Sequence, residues 1–309
     1  MGEVILVCEG PAGGRDAAFL NALCLHRRLD VTVVAAGGAG SVGQMHDWLE
    51  QEAFRREALL AADVPAALVF SVRDRDFHPE ESAAATWTEA RARRLMWRRH
   101  EIENYLVEPS LVLAFFHALP RNHPALASAL PPDAQGVGEL LSGFAAQRLD
   151  HHAGQLAFAD LQAAQDRYTG DGGTALRRPK LDGNRSAPPT EQDWVLQLQA
   201  EARELRRNCT GLAASPELTD AAVAHAYGLR QREVRAEDFL LSRRWLADME
   251  GKNLLWALWA WLHDRGLPKL TLDDVAEHLI RAIPDACDLG LLDGTANCLA
   301  RLLDRLATA

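Results

Sequence analysis

The chain has 309 residues, 48% of them apolar, and 43 acidic against 33 basic side chains give it a formal net charge of −10. That much apolar material supports a packed core in one large domain or two smaller ones, which excludes a disordered or fibrous chain. Neutralising phosphates is the main source of non-specific nucleic-acid affinity, so the acidic balance excludes broad binding of that kind and leaves it to a local basic surface.

In chain order, residues 4–10 (VILVCEG) predict a strand that stops at Glu9-Gly10. Met1-Gly2-Glu3 enters it with no basic flank, and no run approaches ~18 apolar residues, so neither a signal peptide nor a membrane span is expected and the protein is placed in the cytoplasm. A helix over 15–28, a strand over 31–36, Gly37-Gly38, a helix over 44–60 and a strand over 66–72 follow, ending at Asp74-Arg75-Asp76. Such βαβαβ alternation predicts an α/β fold with a mainly parallel sheet. Beyond residue 110, helical spacing of Leu, Ala, Val and Trp predicts helices over 111–119, 138–148, 156–168, 192–207, 219–227, 237–249, 253–265, 272–283 and 294–306. Thr271 reads as the cap of one of them, and Gly266 with Pro268 ends the one before. The Gly-, Pro- and charge-rich stretch 169–191 reads as a mobile loop in which Arg177, Arg178, Lys180 and Arg185 form a secondary phosphate contact. The expected division is a catalytic domain over 1–109 and a helical domain over 110–309.

Glu9, Asp74 and Asp76 each stand where an apolar strand gives way to a polar loop. Mg²⁺ takes near-octahedral oxygen ligands, keeps several waters and is usually held by one or two carboxylates plus substrate phosphates. Carboxylates at the tips of neighbouring parallel strands, roughly 4.8 Å apart, can share an ion. On an extended Asp-x-Asp, Asp74 and Asp76 point the same way, toward the ion placed by Glu9. This pattern predicts a Mg²⁺- or Mn²⁺-dependent phosphoryl-transfer enzyme; solvated loop acids or helix caps are the plainer alternative.

The one visible basic surface is residues 91–100, five arginines with Trp97 and His100. Arg94, Arg98 and Arg99 are the candidate phosphate contacts, and Trp97 the candidate base-stacking ring; a solvated helix face paired with Glu89 and Glu101 is the alternative. Lys252, at the start of a helix, either supports charge on a scissile phosphate or is simply solvated. The apolar run 256–262 is core or a contact face, core being favoured. The five cysteines lack C-x-x-C spacing, so neither a disulfide framework nor a zinc site is expected, and Cys8 reads as a small buried hydrophobe. His26, His46, His151 and His152 lack ligand spacing and read as surface or core residues.

The order strand-Glu9-Gly10, Gly37-Gly38, Asp74-x-Asp76 and Arg99-x-Glu101-Ile102-Glu103-Asn104-Tyr105-Leu106 resembles the TOPRIM domain, in the variant found in OLD-family nucleases and in TOPRIM effectors paired with ABC-type ATPases in phage-defence systems such as PARIS. Gly251-Lys252-Asn253-Leu254-Leu255 is similar to a Gly-Lys-x-Leu-Leu element of those effectors. The resemblance covers residues 1 to about 109 and is thin beyond. It implies a TOPRIM nuclease with Glu9 as metal ligand or general base, Asp74 and Asp76 as further ligands and Asp16 as a supporting acid. Glu101 and Glu103 alternate on an expected strand, so one of them faces the site; the resemblance favours Glu103, with a salt bridge to a neighbouring arginine as its alternative. Asp16 stands further from Glu9-Gly10 than the family pattern has it. The resemblance also implies a DNA or RNA substrate and an ATPase regulator, with a homo-oligomer left open. Two other classes remain: a non-catalytic TOPRIM-like module that binds a partner, and a dinucleotide-binding fold suggested by the G-x-G-x-x-G at 38–43, whose acid would be Asp63. No Walker A lysine follows Gly10, so any ATP hydrolysis belongs to a partner.

Overall fold

The computed structural model describes residues 3–59, 67–76, 78, 80–89, 92–119, 126, 128–169, 176, 179, 181, 188–208, 212, 215–267, 269–293 and 297–309. The elements are β1 (Val4–Cys8), α1 (Arg15–His26), β2 (Val31–Ala35), α2 (Ala39–Leu59), β3 (Leu68–Arg73), α3 (Glu80–Thr88), β4 (Arg94–Met96), α4 (Glu103–Leu106), α5 (Pro109–Ala118), α6 (Ala134–Ala146), α7 (Leu149–Thr169), α8 (Glu191–Asn208), α9 (Asp220–Val234), α10 (Glu237–Leu241), α11 (Trp245–Asp248), α12 (Gly251–Asp264), α13 (Leu272–Arg281), α14 (Ile283–Asp288) and α15 (Cys298–Ala307). The protein is thus α/β: a four-stranded, all-parallel sheet in the order β2-β1-β3-β4, followed by a mainly helical region. β1 is buried along its whole length, as a central parallel strand covered on both faces must be. On one face Val42, Met45 and Leu49 of α2 pack against Val7 and Val69.

Contacts divide the chain into two compact units, residues 1–139 with 246–309 and residues 140–245, rather than at a cut near 109. In the first, the last sixty-odd residues return to the helices of the N-terminal part: α13 packs on α1 and α5, and α12 on α4. α5 is buried from Pro109 to Phe116, with the proline in the first turn, where no backbone N–H is needed. A run of rings, Phe19, Tyr105, Trp97 and Trp87, fills the core beside β4 with centroid spacings of 6.5, 5.0 and 6.1 Å. α13 starts on the expected cap, Thr271, in a reciprocal capping box with Asp274. In the second unit, α7 lies against α8 and α9; a Cβ at Gly154 would overlap the Trp194 ring, so only glycine lets those helices approach. His151 and His152 are core residues there.

Glu101 and Glu103 do not alternate along a strand as expected. The fourth strand lies earlier, at Arg94–Met96, and the chain then bends into the helical turn α4. Asn104 causes the bend: its Oδ1 accepts the Glu101 N–H, while its own N–H and that of Tyr105 donate back to the Glu101 and Ile102 carbonyls. Residues 101–107 are all buried, so no two-residue alternation arises. The basic residues Arg177, Arg178, Lys180 and Arg185, together with Arg91 and Asp63, lie outside the described residues.

Candidate metal cleft

In the sheet the chain winds from β1 outward to β2, then crosses back to β3 on the other side of β1. In open α/β sheets the crevice beyond the carboxyl ends of the strands at this reversal is where ligands bind. Glu9 follows the last residue of β1 and Asp74 the last residue of β3, so both stand at the reversal. The Asp74 N–H donates to Glu9 Oε1 at 3.0 Å, tying the two strand ends together. Gly10 has φ +79°, and a Cβ there would stand 3.4 Å from Asp16 Cγ, so the turn brings the α1 acid close to the Glu9 loop. The result is a cleft of about 920 Å³ lined by Glu9, Asp16, Asp74, Glu103, Arg15 and Lys252. Asp273, Ala276, Glu277, Ile280 and Arg281 of α13 also line it.

Burial and mutual repulsion act on these acids together. Asp74 is pushed up to about 9, first by burial and then by the charges of Glu9, Asp16, Glu101 and Glu103. Its Oδ1 is buried with no hydrogen-bond partner among the described residues. Burial and the Glu103 charge take Asp16 up to about 6. Burial raises Glu9 against the opposing pull of the Asp74 N–H, and Glu103 is raised by burial and by Glu101. Beneath this cluster the Cys8 thiol is pushed up to about 12, chiefly by burial, which makes it inert.

The two motifs near residues 100 and 251 meet here. A Cβ at Gly251 would overlap the backbone of Glu103 and Asn104, so the start of α12 sits directly on α4. Asn104 Nδ2 donates to the Leu246 and Met249 carbonyls at 3.0 and 2.8 Å. Lys252 donates to Glu101 twice, from its backbone N–H to Oε1 and from Nζ to Oε2, both at 2.7 Å. Desolvation works against the Lys252 charge, but Glu101, Glu103 and Asp74 outweigh it, and the ammonium is held well above its ordinary pKa. Glu101 is therefore the anchor of Lys252, while Glu103 faces the cleft, 3.4 Å from Arg15 Nη1; Arg15 Nη2 reaches Asp273 at 2.5 Å.

Three expected site residues are placed otherwise. Asp74 and Asp76 do not share an extended strand: β3 ends at Arg73, and Asp76 is exposed with φ +48° and lies outside the cleft lining. Between them Arg75 is buried, held by Asp248 at 2.6 Å and the Ala247 carbonyl at 3.0 Å, while the His100 carbonyl accepts the N–H groups of both Arg75 and Asp76. Asp76 is still near enough to add to the raising of Glu9. Trp97 is 2% exposed between Trp87 and Tyr105 and is core, not a platform for a base. Arg99 is a structural residue, bonded to the Asn104 carbonyl and Glu108 and lying 4.6 Å over the Tyr105 ring. Arg94 is exposed and Arg98 half-buried, paired with Asp47 and Glu80 respectively.

Among the described residues no three His, Cys, Asp or Glu side chains converge tightly enough to chelate an ion unaided. A hydrated Mg²⁺ needs fewer, one or two carboxylates plus phosphate oxygens, and the unpartnered Oδ1 of Asp74 beside like charges fits a cation. The G-x-G-x-x-G glycines fit no pyrophosphate cradle. Gly40 and Gly43 lie inside α2 with open space where a Cβ would stand, and β2, which precedes them, is an edge strand. Comparisons with protein-family models, curated proteins and solved structures find no match. Among the described residues no helix is long and apolar enough to cross a membrane.

Arg15, Asp273 and Arg75 were not singled out from sequence. Arg75 sits inside the Asp-x-Asp signature, where a cation between two acids signals a buried counter-ion; nothing in the local sequence of Asp273 points to residues some 260 positions earlier.

Proposed function

We propose that this chain is a Mg²⁺- or Mn²⁺-dependent nuclease of the TOPRIM type. The observation that carries it is the gathering of Glu9, Asp16, Asp74 and Glu103 at the reversal point of a parallel sheet, with Asp74 Oδ1 buried and unpartnered among the described residues. Acids raised by burial and by one another's charge are stabilised by a cation, and perturbed groups of this kind cluster at functional sites. Glu9, Asp74 and Asp16 would hold the metal. When bound, a divalent ion activates water and neutralises charge developing on phosphoryl oxygens.

The chain's own groups do the rest. The Asp74 backbone N–H holds the Glu9 carboxylate through Oε1 and leaves Glu9 Oε2 and Asp74 Oδ1 unspent. Lys252, fully protonated and braced by Glu101, presents a positive charge at the rim of the cleft for a phosphate oxygen. Arg15, shared between Glu103 and Asp273, supplies a second cation that can exchange a carboxylate for a phosphate. Asp76 contributes charge near Glu9. Arg94 and Arg98 remain candidate backbone contacts, since exposed ion pairs are worth only ~0–1 kcal/mol and yield readily to phosphate. Control by an ABC-type ATPase rests on the motif resemblance alone. The test is cleavage of labelled DNA and RNA with Mg²⁺ or Mn²⁺. Wild type should cut only with the metal, and Asp74→Asn should be inactive while folded; an unchanged rate in Asp74→Asn would refute the assignment.

A further inference from the structure

A second cavity, of about 660 Å³, adjoins the cleft. Its walls come from the end of α5, residues 266, 267, 269 and 270, and the α13–α14 helical run, with Phe115, Leu119, Leu267 and Leu270 giving it an apolar interior. That volume is within the range of small-molecule pockets. Phe115 and His278 stand with near-parallel rings, 23° apart and 6.1 Å between centroids. Lys269, Arg281 and Asp285 add polar groups to the lining.

Helical spacing explains how the two cavities are joined. Residues 273, 276, 277 and 280 of α13 line the acidic cleft, while 278, 282 and 285 line the apolar pocket. These are adjacent stripes of one helical run at three- and four-residue intervals. Arg281 belongs to both linings. The capping box at Thr271 fixes where α13 begins, and hence which stripe faces which cavity. A ligand with a phosphate in the cleft would pass the Arg281 guanidinium before reaching the apolar pocket.

We infer that the pocket between α5 and α13 receives the base of a nucleotide adjoining the phosphate bound in the acidic cleft, so that the substrate is an unpaired strand or end. A planar heterocycle suits apolar walls with a ring pair, Asp285 and Lys269 offer an acceptor and a donor to its edge, and Arg281 meets the connecting phosphate. A base within a duplex is stacked and paired, and a pocket of this kind takes it only when it is exposed. This rests on the nuclease proposal for the neighbouring cleft.

The test is an abasic scan. Labelled single-stranded DNA and RNA hexamers, intact or lacking one base at each position in turn, are titrated by fluorescence anisotropy against wild type with Ca²⁺ in place of Mg²⁺. One abasic position should weaken binding by ~10-fold, the size of a base–aromatic stack. Ala118→Trp, which fills the pocket from an exposed helix end, should erase that difference and leave the affinity for the abasic strand unchanged. His278→Ala, at another exposed position, should reduce it and serves if the first variant does not fold. A flat scan on a strand that binds and is cut would overturn the base pocket and leave the nuclease proposal standing. The pocket assignment also falls if neither variant changes the scan. Absence of both binding and cleavage would overturn the two together.

Discussion

Replacing Asp74 by Asn should make the metal-free protein more stable and less sensitive to pH. Asp74 is pushed from 3.8 to about 9 in the folded protein, so between those values the folded state keeps a proton that the unfolded chain has released. A raised pKa contributes stability that is fully present below the unfolded value and is lost as pH rises toward the folded one. One proton corresponds to ~1.4 kcal/mol per pH unit, hence ~4 kcal/mol between 3.8 and pH 7. Water entering from the open side of the cleft weakens the effect, and ~2 kcal/mol is the working figure at neutral pH. Asparagine keeps the shape without the charge and removes this term. Urea unfolding in EDTA at half-unit steps from pH 5 to 9 measures it: wild type should lose stability steadily as pH rises, with the advantage of Asp74→Asn widening in step. A variant less stable than wild type throughout, with a parallel pH profile, would refute the account of a strained, proton-retaining carboxyl.

Other expectations concern the supports of the cleft. Gly251→Ala places a Cβ against the Asn104 backbone, which no rotamer can relieve; it should cost ~2 kcal/mol or more in urea unfolding. It should also displace Lys252 from Glu101, lowering the Lys252 pKa as read by NMR. Trp97→Ala should destabilise by ~3–5 kcal/mol, as for any large core ring, whereas a base platform on the surface would show lost binding at unchanged stability. Arg94→Ala with Arg98→Ala should change stability by less than ~1 kcal/mol per pair. If those arginines meet phosphates, the double variant should flatten the salt dependence of duplex binding by roughly one log–log unit per lost contact. An unchanged slope would leave them as partners of Asp47 and Glu80 alone.

The sheet was legible because β1, β2 and β3 are short, mostly apolar runs rich in Val punctuated by Glu9-Gly10, Gly37-Gly38 and Asp74, local signals that distant contacts do not override. Glu9 and Asp74 could be grouped for the same reason, since parallel topology brings the ends of β1 and β3 together, whereas Asp16, on α1, entered through the motif resemblance alone. The local sequence turns Asp76 toward the ion with Asp74, but its direction depends on Arg75 being drawn inward by Asp248, a partner more than 170 positions away. The arginine-rich stretch misled for a related reason. Three residues of it form an edge strand, and the burial of Trp97 beside Trp87 and Tyr105 follows from tertiary packing that no local periodicity records. The pairing of Glu101 with Lys252 was hidden in two motifs that each resembled a familiar element, and they meet through the fit of Gly251 onto Asn104 and the Asn104 hydrogen bonds to the Leu246 and Met249 carbonyls.

The most direct measurement is calorimetric titration of Mn²⁺ into wild type, Glu9→Gln and Asp74→Asn at pH 7.5, with folding verified by thermal melts. Carboxylates at the β1 and β3 ends that hold the ion predict saturable binding to wild type, accompanied by proton release because Asp74 must ionise to ligate, and a sharp loss in both variants. Mn²⁺ binding of equal affinity in all three proteins, or none in wild type, would contradict it.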